Sequence, residues 1–244
     1  MEALLETLGN LSLHSKEDVS AIKIQKVYRR YITRRKYLPL VLYKIQKYLQ
    51  AKTIELDTKN EDGRINSCSD EQIIIDLLKD FKCKIPKVRN WYDLLVYDNF
   101  YGWIPVNIKT TTMKTSDNTG NLAMCVYSYT DHVLDLDKTY NNGEMSEILF
   151  TKLQKKEYNK TRKNYYFLVI NKLNTKDIII NSVLHLSYLT PNNNNLPFQV
   201  CWDKNRKCSY KSINENVKIF LQTLQKPKPC WKEIFLEKIR SIEA

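Results

Sequence analysis

The chain has 244 residues, a formal charge of +12, 43% hydrophobic and 11% aromatic residues, and only five glycines. That is enough apolar chain for one ordinary domain plus an appendage, or for two small domains, and it excludes a disordered, collagen-like or linker-like polypeptide. No run of eighteen apolar residues exists, and Glu2 and Glu6 stand where a secretory leader would be basic, so the expectation is an intracellular chain that crosses no membrane. The six cysteines are scattered without a C-x-x-C pair, which argues for reduced thiols rather than a zinc site or a disulfide framework.

The charge is concentrated near the N-terminus. Between Lys16 and Lys52 eleven basic residues face only Glu17 and Asp18, giving this stretch +9. It reads as helix: Ser15 can cap it, Glu17 and Asp18 sit in the first turn against the dipole, and Ala21, Ile24, Val27, Tyr28 and Tyr31 recur at helical spacing. Pro39 breaks the pattern and Leu40 to Leu49 begins a second amphipathic stretch. Residues 1–52 are therefore read as a basic helical arm, and the polar, acidic residues 53–67 as a linker.

The domain proper is expected over 68–244. Ser69 to Gln72 has the form of a capping box, and Ile73, Ile74, Ile75, Leu77, Leu78 and Phe81 carry that helix to about Lys82. Trp91 to Val96 and Trp103 to Lys109 read as two strands joined by the turn residues Asp98, Asn99 and Gly102. A polar loop, Thr110 to Asn118, and a helix, Asn121 to Tyr129, follow. Asp131 to Lys163 reads as a charged surface region. Further strands are expected at Tyr165 to Ile170, Ile178 to Val183 and Phe198 to Trp202, with helices at Ile213 to Leu224 and Trp231 to Ile242. The predicted class is α/β, a central mixed sheet flanked by helices.

An acid at the centre of a buried apolar strand is costly unless something pairs with it. Asp93 is such an acid, and Asn107 and Lys109, two apart on the next strand, share a face by the period of two. In a hairpin these three side chains converge. A carboxylate, an amide oxygen and the Ile108 carbonyl form an oxygen-only donor set suited to Mg²⁺, and Lys109 beside it can orient an attacking water. A structural ion pair across the hairpin would leave the same trace in sequence.

This pattern resembles the PD-(D/E)XK nuclease superfamily, and within it the type II restriction endonucleases. Tyr92-Asp93 corresponds to the first element without its proline, and Asn107-Ile108-Lys109 to the second with Asn in place of an acid. Thr110-Thr111, the Ser116-Asp117-Asn118 loop and the stretch Leu196 to Trp202 are also similar. The resemblance implies a restriction-endonuclease-like sheet and Mg²⁺-dependent, site-specific hydrolysis of double-stranded DNA by a two-fold dimer. It implies metal ligation by Asp93, Asn107 and Ile108, with Lys109 serving the water and Glu71 or Asp76 supplying a further acid. Thr111, Lys114, Asp117, Asn118, Gln199, Asn205 and Arg206 are the expected DNA contacts, set against ordinary loop polarity.

Ile24, Gln25, Arg29, Arg34 and Tyr37 resemble the IQ motif, with Arg30 in place of its usual glycine. That implies a basic helix able to dock with a calmodulin-like partner, as against packing on its own domain or touching phosphates. The alternative function is thus a non-enzymatic DNA-binding or adaptor protein. An IQ-like arm and AT-biased composition on such a nuclease fit a large DNA virus better than a bacterium, placing the protein in the cytoplasm, a viral factory or the nucleus.

Overall fold

A computed structural model describes residues 20–22, 25, 38–56, 63–86, 90–161, 163–192, 197–225 and 240, with backbone alone at 63–68. The chain divides into two compact units, Met1–Leu38 and Pro39–Ala244. In the first, residues 20–22 and 25 are helical and exposed. The boundary falls at 38, not 52, because the second amphipathic stretch belongs to the larger unit. Residues 1–38 hold eight basic and four acidic side chains, so they carry only +4, and +8 lies in residues 39–244.

The larger unit is mixed α/β, with a central mixed sheet flanked by helices. In chain order it contains α1 (Leu40–Ala51), α2 (Gly63–Leu77), β1 (Cys83–Lys84), β2 (Leu94–Asp98), β3 (Gly102–Thr111) and β4 (Ser116–Asn118). There follow α3 (Leu122–Tyr129), α4 (Asn142–Gln154), β5 (Tyr166–Asn171), β6 (Asn174–Ser182), β7 (Thr190–Pro191), β8 (Phe198–Cys201) and α5 (Ile213–Gln225). Five strands form the main sheet in the order β1-β2-β3-β5-β6, and β4-β8-β7 form a second. Only β3 and β5 run parallel. The chain between them carries β4, α3 and α4, as a parallel pair requires a long crossover.

The β2–β3 hairpin is set by local chemistry. Asp98 Oδ1 accepts the N–H groups of Phe100 (2.8 Å) and Tyr101 (3.2 Å), and Gly102 closes the loop at φ +71°, a left-handed conformation natural to glycine. Alternation then divides the core. Leu95, Phe167, Val169 and Ile179 join α3, α4, α5 and the small sheet in one cluster. Leu94, Val96, Ile104, Val106, Ile108, Leu168, Ile170, Ile178 and Ile180 are buried on the opposite side. That side is where α1 and α2 pack, through Leu42, Ile45, Leu49, Ile74 and Leu78. Along β6, the Gln46 and Gln50 amides donate to Ile178 O (2.7 Å) and Lys176 O (3.2 Å), so the helix occupies carbonyls that an edge strand would otherwise present.

Three sequence expectations are corrected. The helix expected from Ser69 begins at Gly63 and ends at Leu77, which puts Ser69 and Gln72 inside it rather than at its cap. The region 131–163, expected as charged surface, contains α4, whose Met145, Leu149, Phe150 and Leu153 are buried. The polar loop after β3 includes the strand β4. The helix expected at 231–242 lies outside the described residues except Arg240, which is helical.

Candidate functional site

Asp93 stands one residue before β2, and two bonds fix it beside Asn107. Its N–H donates to Val106 O (3.0 Å), and its carboxylate Oδ2 accepts from the Ile108 N–H (2.6 Å). The two bonds reach the β3 residues on either side of Asn107. Ile108 enters through its amide. The side-chain oxygen of Asn107 is shielded from solvent and has no hydrogen-bond partner, a kind of acceptor that buried sites rarely leave empty.

Lys109 lies two residues further along the same face. Its ammonium is 3.5 Å from Glu71 Oε1 on α2, with the two side chains 25% and 21% exposed. Asp76, the other acid considered, instead forms an exposed pair with Lys79 at 2.8 Å, and the bonds from Lys79 and Gln72 hold its carboxyl below the usual range. The residue before Glu71 anchors the same end of β3. Asp70 is fully buried, pairs with Lys172 just after β5, and accepts the Thr110 hydroxyl at 3.4 Å. The Lys172 N–H in turn donates to Thr111 O at 2.9 Å. Helix α2 is thereby tied by two acids to the carboxyl ends of both parallel strands.

Two residues that sequence reasoning missed hold the approach to Asp93. The Tyr165 hydroxyl and the Asn121 amide both donate to the Trp91 carbonyl, at 2.8 and 3.0 Å. Asn121 also caps α3 by accepting from Met124 N–H at 2.7 Å, and the Trp91 and Tyr165 rings stack with centroids 5.8 Å apart. Burial, then the charge of Asp93, pushes the Tyr165 hydroxyl well above its ordinary pKa, while the Asn107 and Asn121 side chains oppose the shift. Tyr165 is therefore a neutral donor beneath the site. Asn121 was legible as a helix cap; nothing in sequence pairs Tyr165 with residues more than seventy positions earlier.

The expected DNA contacts separate into distinct environments. Thr111 is buried, and its hydroxyl accepts from Met113 N–H at 3.1 Å. Lys114 is exposed. Asn118 accepts from Asn192 (3.0 Å) and Gln199 (2.8 Å), linking the three strands of the small sheet's surface. Arg206 grips Asp177 with two bonds, 2.8 and 3.0 Å, and also bonds Asp203. Asn205 is corrected outright: it is fully buried, its Oδ1 accepts from Ser187 N–H and Tyr188 N–H, and its Nδ2 donates to Tyr188 O and Cys201 O. An amide so engaged staples the loop and has no surface to offer a duplex.

Asp117, on β4, lies within electrostatic reach of Lys109. Burial raises its pKa, opposed by the Thr111 hydroxyl, the Lys109 charge and the Trp202 indole. None of these contacts closes on Oδ2, which is buried without a hydrogen-bond partner, as is Trp202 Nε1.

Among the described residues no group of three or more His, Cys, Asp or Glu side chains is placed to hold a metal ion. The donors at hand are one carboxylate and the unpartnered Asn107 oxygen, a hard, low-charge set. That set fits Mg²⁺, which keeps most of its waters and takes one or two protein carboxylates alongside substrate phosphates.

Compared with known proteins, residues 18–38 match the family model of the IQ calmodulin-binding motif. Of the motif positions, Gln25 is helical and exposed, while Ile24, Arg29, Arg30, Arg34 and Tyr37 lie outside the described residues. No curated protein and no solved structure matches the chain. Among the described residues no helix is long and apolar enough to cross a membrane.

Proposed function

We propose that the larger unit is a Mg²⁺-dependent endodeoxyribonuclease of restriction-endonuclease type, cutting double-stranded DNA at specific sites. The observation that carries this reading is the seating of Asp93 against Ile108 N–H, next in sequence to Asn107 with its buried, unpartnered side-chain oxygen and followed by Lys109. The order of helix, antiparallel hairpin, crossover helix and parallel strand supports it, because it sets an acid beside one hairpin strand and a lysine on the other.

Asp93 and Asn107 would hold the cation, which when bound supplies Lewis-acid polarisation of the scissile phosphate. Lys109 orients the attacking water and offsets charge that builds on the phosphate oxygens. Glu71 holds the half-buried ammonium in place. The +8 of this unit supplies affinity that does not depend on sequence, and exposed Lys114 with half-buried Gln199 remain available to a duplex. A two-fold dimer would match a palindromic site. The test is digestion of plasmid with Mg²⁺ or with EDTA, followed by sequencing of the ends. Discrete ends at one short motif are expected; random ends, or cutting in EDTA, would remove the proposal.

A second activity rests on the IQ match: residues 18–38 recruit a calmodulin-like protein, whose acidic, hydrophobic groove suits a basic amphipathic helix. Titration of the full chain into calmodulin, with and without Ca²⁺, tests it. Saturable binding is expected, and none in either state would dismiss it.

A further inference from the structure

Three strands at one edge of the main sheet set two lysines against aromatic rings. Lys84 on β1 pairs with Leu95 on β2, Tyr97 N–H donates to Lys82 O, and Tyr97 stands opposite Trp103 on β3. Strand alternation therefore puts Lys82, Lys84, Tyr97 and Trp103 on one face. The side chains meet there. The Lys82 ammonium lies 3.5 Å from the centre of the Tyr97 ring and 5.9 Å from that of Trp103, and the Lys84 ammonium lies 4.6 Å from Trp103. The two rings pack edge to face at 5.3 Å.

A lysine seated in this way differs from one in an ion pair. A carboxylate fixes the ammonium by cancelling its charge, whereas a ring face fixes it and leaves the charge and the N–H groups to a ligand. Both lysines are exposed, and among the described residues neither lies within ion-pair distance of a carboxylate. Standing two apart on β1, they are ~6.6 Å apart along the strand at a rise of ~3.3 Å per residue. Two fixed cations in a row, with no acid between them, suit a polyanion.

At the tip of the same hairpin Phe100 and Tyr101 are 48% and 40% exposed, their rings edge to face at 4.8 Å. Beside Lys84 opens a cleft of about 750 Å³ that carries Asn90, Asp137, Lys138 and Thr139, side chains that give and accept hydrogen bonds. Fixed cations, exposed rings and a mixed polar cleft answer to phosphates, base faces and base edges respectively. A duplex keeps its base faces stacked inside, so exposed rings of this kind serve an unpaired strand.

We propose that this edge of the sheet binds single-stranded nucleic acid: Lys82 and Lys84 hold neighbouring phosphates, Phe100 and Tyr101 stack unpaired bases, and the cleft beside Lys84 receives a base edge. The surface does not depend on cleavage. Trp103 and Asn107 share a face of β3 four residues apart, ~13 Å along the strand, so the bound strand lies near the candidate nuclease site.

The experiment is fluorescence anisotropy of a labelled oligothymidine titrated with the full chain in EDTA, each variant first verified as folded. Saturable binding is expected. Lys82→Ala with Lys84→Ala should weaken it about tenfold and lower the slope of log affinity against log salt by ~1.4, at ~0.7 per phosphate contact on a single strand. Phe100→Ala with Tyr101→Ala should weaken it by at least about tenfold with the salt slope unchanged, as loss of stacking requires. Lys82→Arg with Lys84→Arg should bind as wild type, and Lys155→Ala with Lys160→Ala, which removes the same charge elsewhere, should change affinity less than about twofold. No binding by wild type, equal losses from the two lysine-to-alanine pairs, or a ring variant that binds as wild type would overturn the proposal. So would equal losses of affinity for a duplex, or binding to phosphatidylserine vesicles that these substitutions abolish while oligothymidine affinity is untouched. Every arm is read without Mg²⁺, so a chain that binds the single strand but never cuts removes the nuclease reading and leaves this surface standing.

Discussion

Replacing Asn205 by Ala tests whether a polar loop residue acts inside the fold or on a ligand. The side chain makes bonds of 2.9 and 3.1 Å from Ser187 N–H and Tyr188 N–H, and of 2.8 and 2.9 Å to Tyr188 O and Cys201 O. These four bonds at about 1 kcal/mol net each set a scale of about 4 kcal/mol, and the Ser187 hydroxyl adds a longer contact of 3.4 Å to the same oxygen. Ser187 and Tyr188 are exposed residues, so water can satisfy part of what is released, and about 2–4 kcal/mol is the expected loss. With a urea slope of about 2–3 kcal/mol per molar, the unfolding midpoint should fall by about 1 M. Affinity of the remaining folded protein for duplex DNA should not change. A midpoint drop below about 0.3 M, or a selective loss of DNA binding at full stability, would refute the reasoning.

Tyr165→Phe removes one of the two donors on the Trp91 carbonyl; it should lower stability by about 1 kcal/mol and slow cleavage about tenfold, and an unchanged rate would show that Asp93 is held without it. The Arg206 bond keeps the Asp177 carboxyl below its ordinary value, so the pair stabilises the fold above the usual carboxylate range and this contribution is lost as pH falls through the lowered folded value. Asp177→Asn should therefore cost about 1 kcal/mol or less near neutrality after solvent screening, and the gap between its urea midpoint and that of wild type should begin to close below about pH 4 and vanish once pH is below the lowered folded value. Changing Ile24 and Gln25 to Ala should abolish binding of a calmodulin-like protein measured by calorimetry while leaving DNA cleavage intact; unaltered affinity would place the partner contact elsewhere.

Strands were the legible part of this fold because their apolar runs are short and their turns are marked by particular residues. Asp98, Asn99 and Gly102 announced the hairpin, and the structure uses them as such. Capping signals were less reliable, since the same four-residue spacing has two outcomes. Ser69 and Gln72 fall within α2, where Gln72 bonds Asp76. A reciprocal box does open α5, with Glu215 accepting from Ser212 N–H (2.8 Å) and Ser212 accepting from Glu215 N–H (3.2 Å). Helix α4 is masked in sequence by Asn142 and Gly143 in its first turn and by Glu144, Glu147 and Lys152 set among its apolar residues, which blur the periodicity.

For the site, alternation along β3 puts Asn107 and Lys109 on one face, and strand pairing seats Asp93 against the Ile108 N–H between them. What lies beneath and beside them was not accessible to local pattern. Tyr165, Lys172 and Asp117 arrive through the β3–β5 crossover and the small sheet, and their partners are set by tertiary packing. Sequence also assigned most of the basic charge to an arm ending near residue 52. Packing of α1 on the sheet moves Lys44, Lys47 and Lys52 into the larger unit, so charge and chemistry reside more nearly together.

The most direct measurement is cleavage of supercoiled plasmid in Mg²⁺ by the full chain and by its Asp93→Ala and Lys109→Ala variants, each first verified as folded. Wild type should convert the plasmid to nicked and linear forms, and both variants should lose that activity by at least about a thousandfold, as for groups that act on the reacting phosphate. Cutting that persists in both variants, or a wild type that leaves the plasmid intact, would contradict the account.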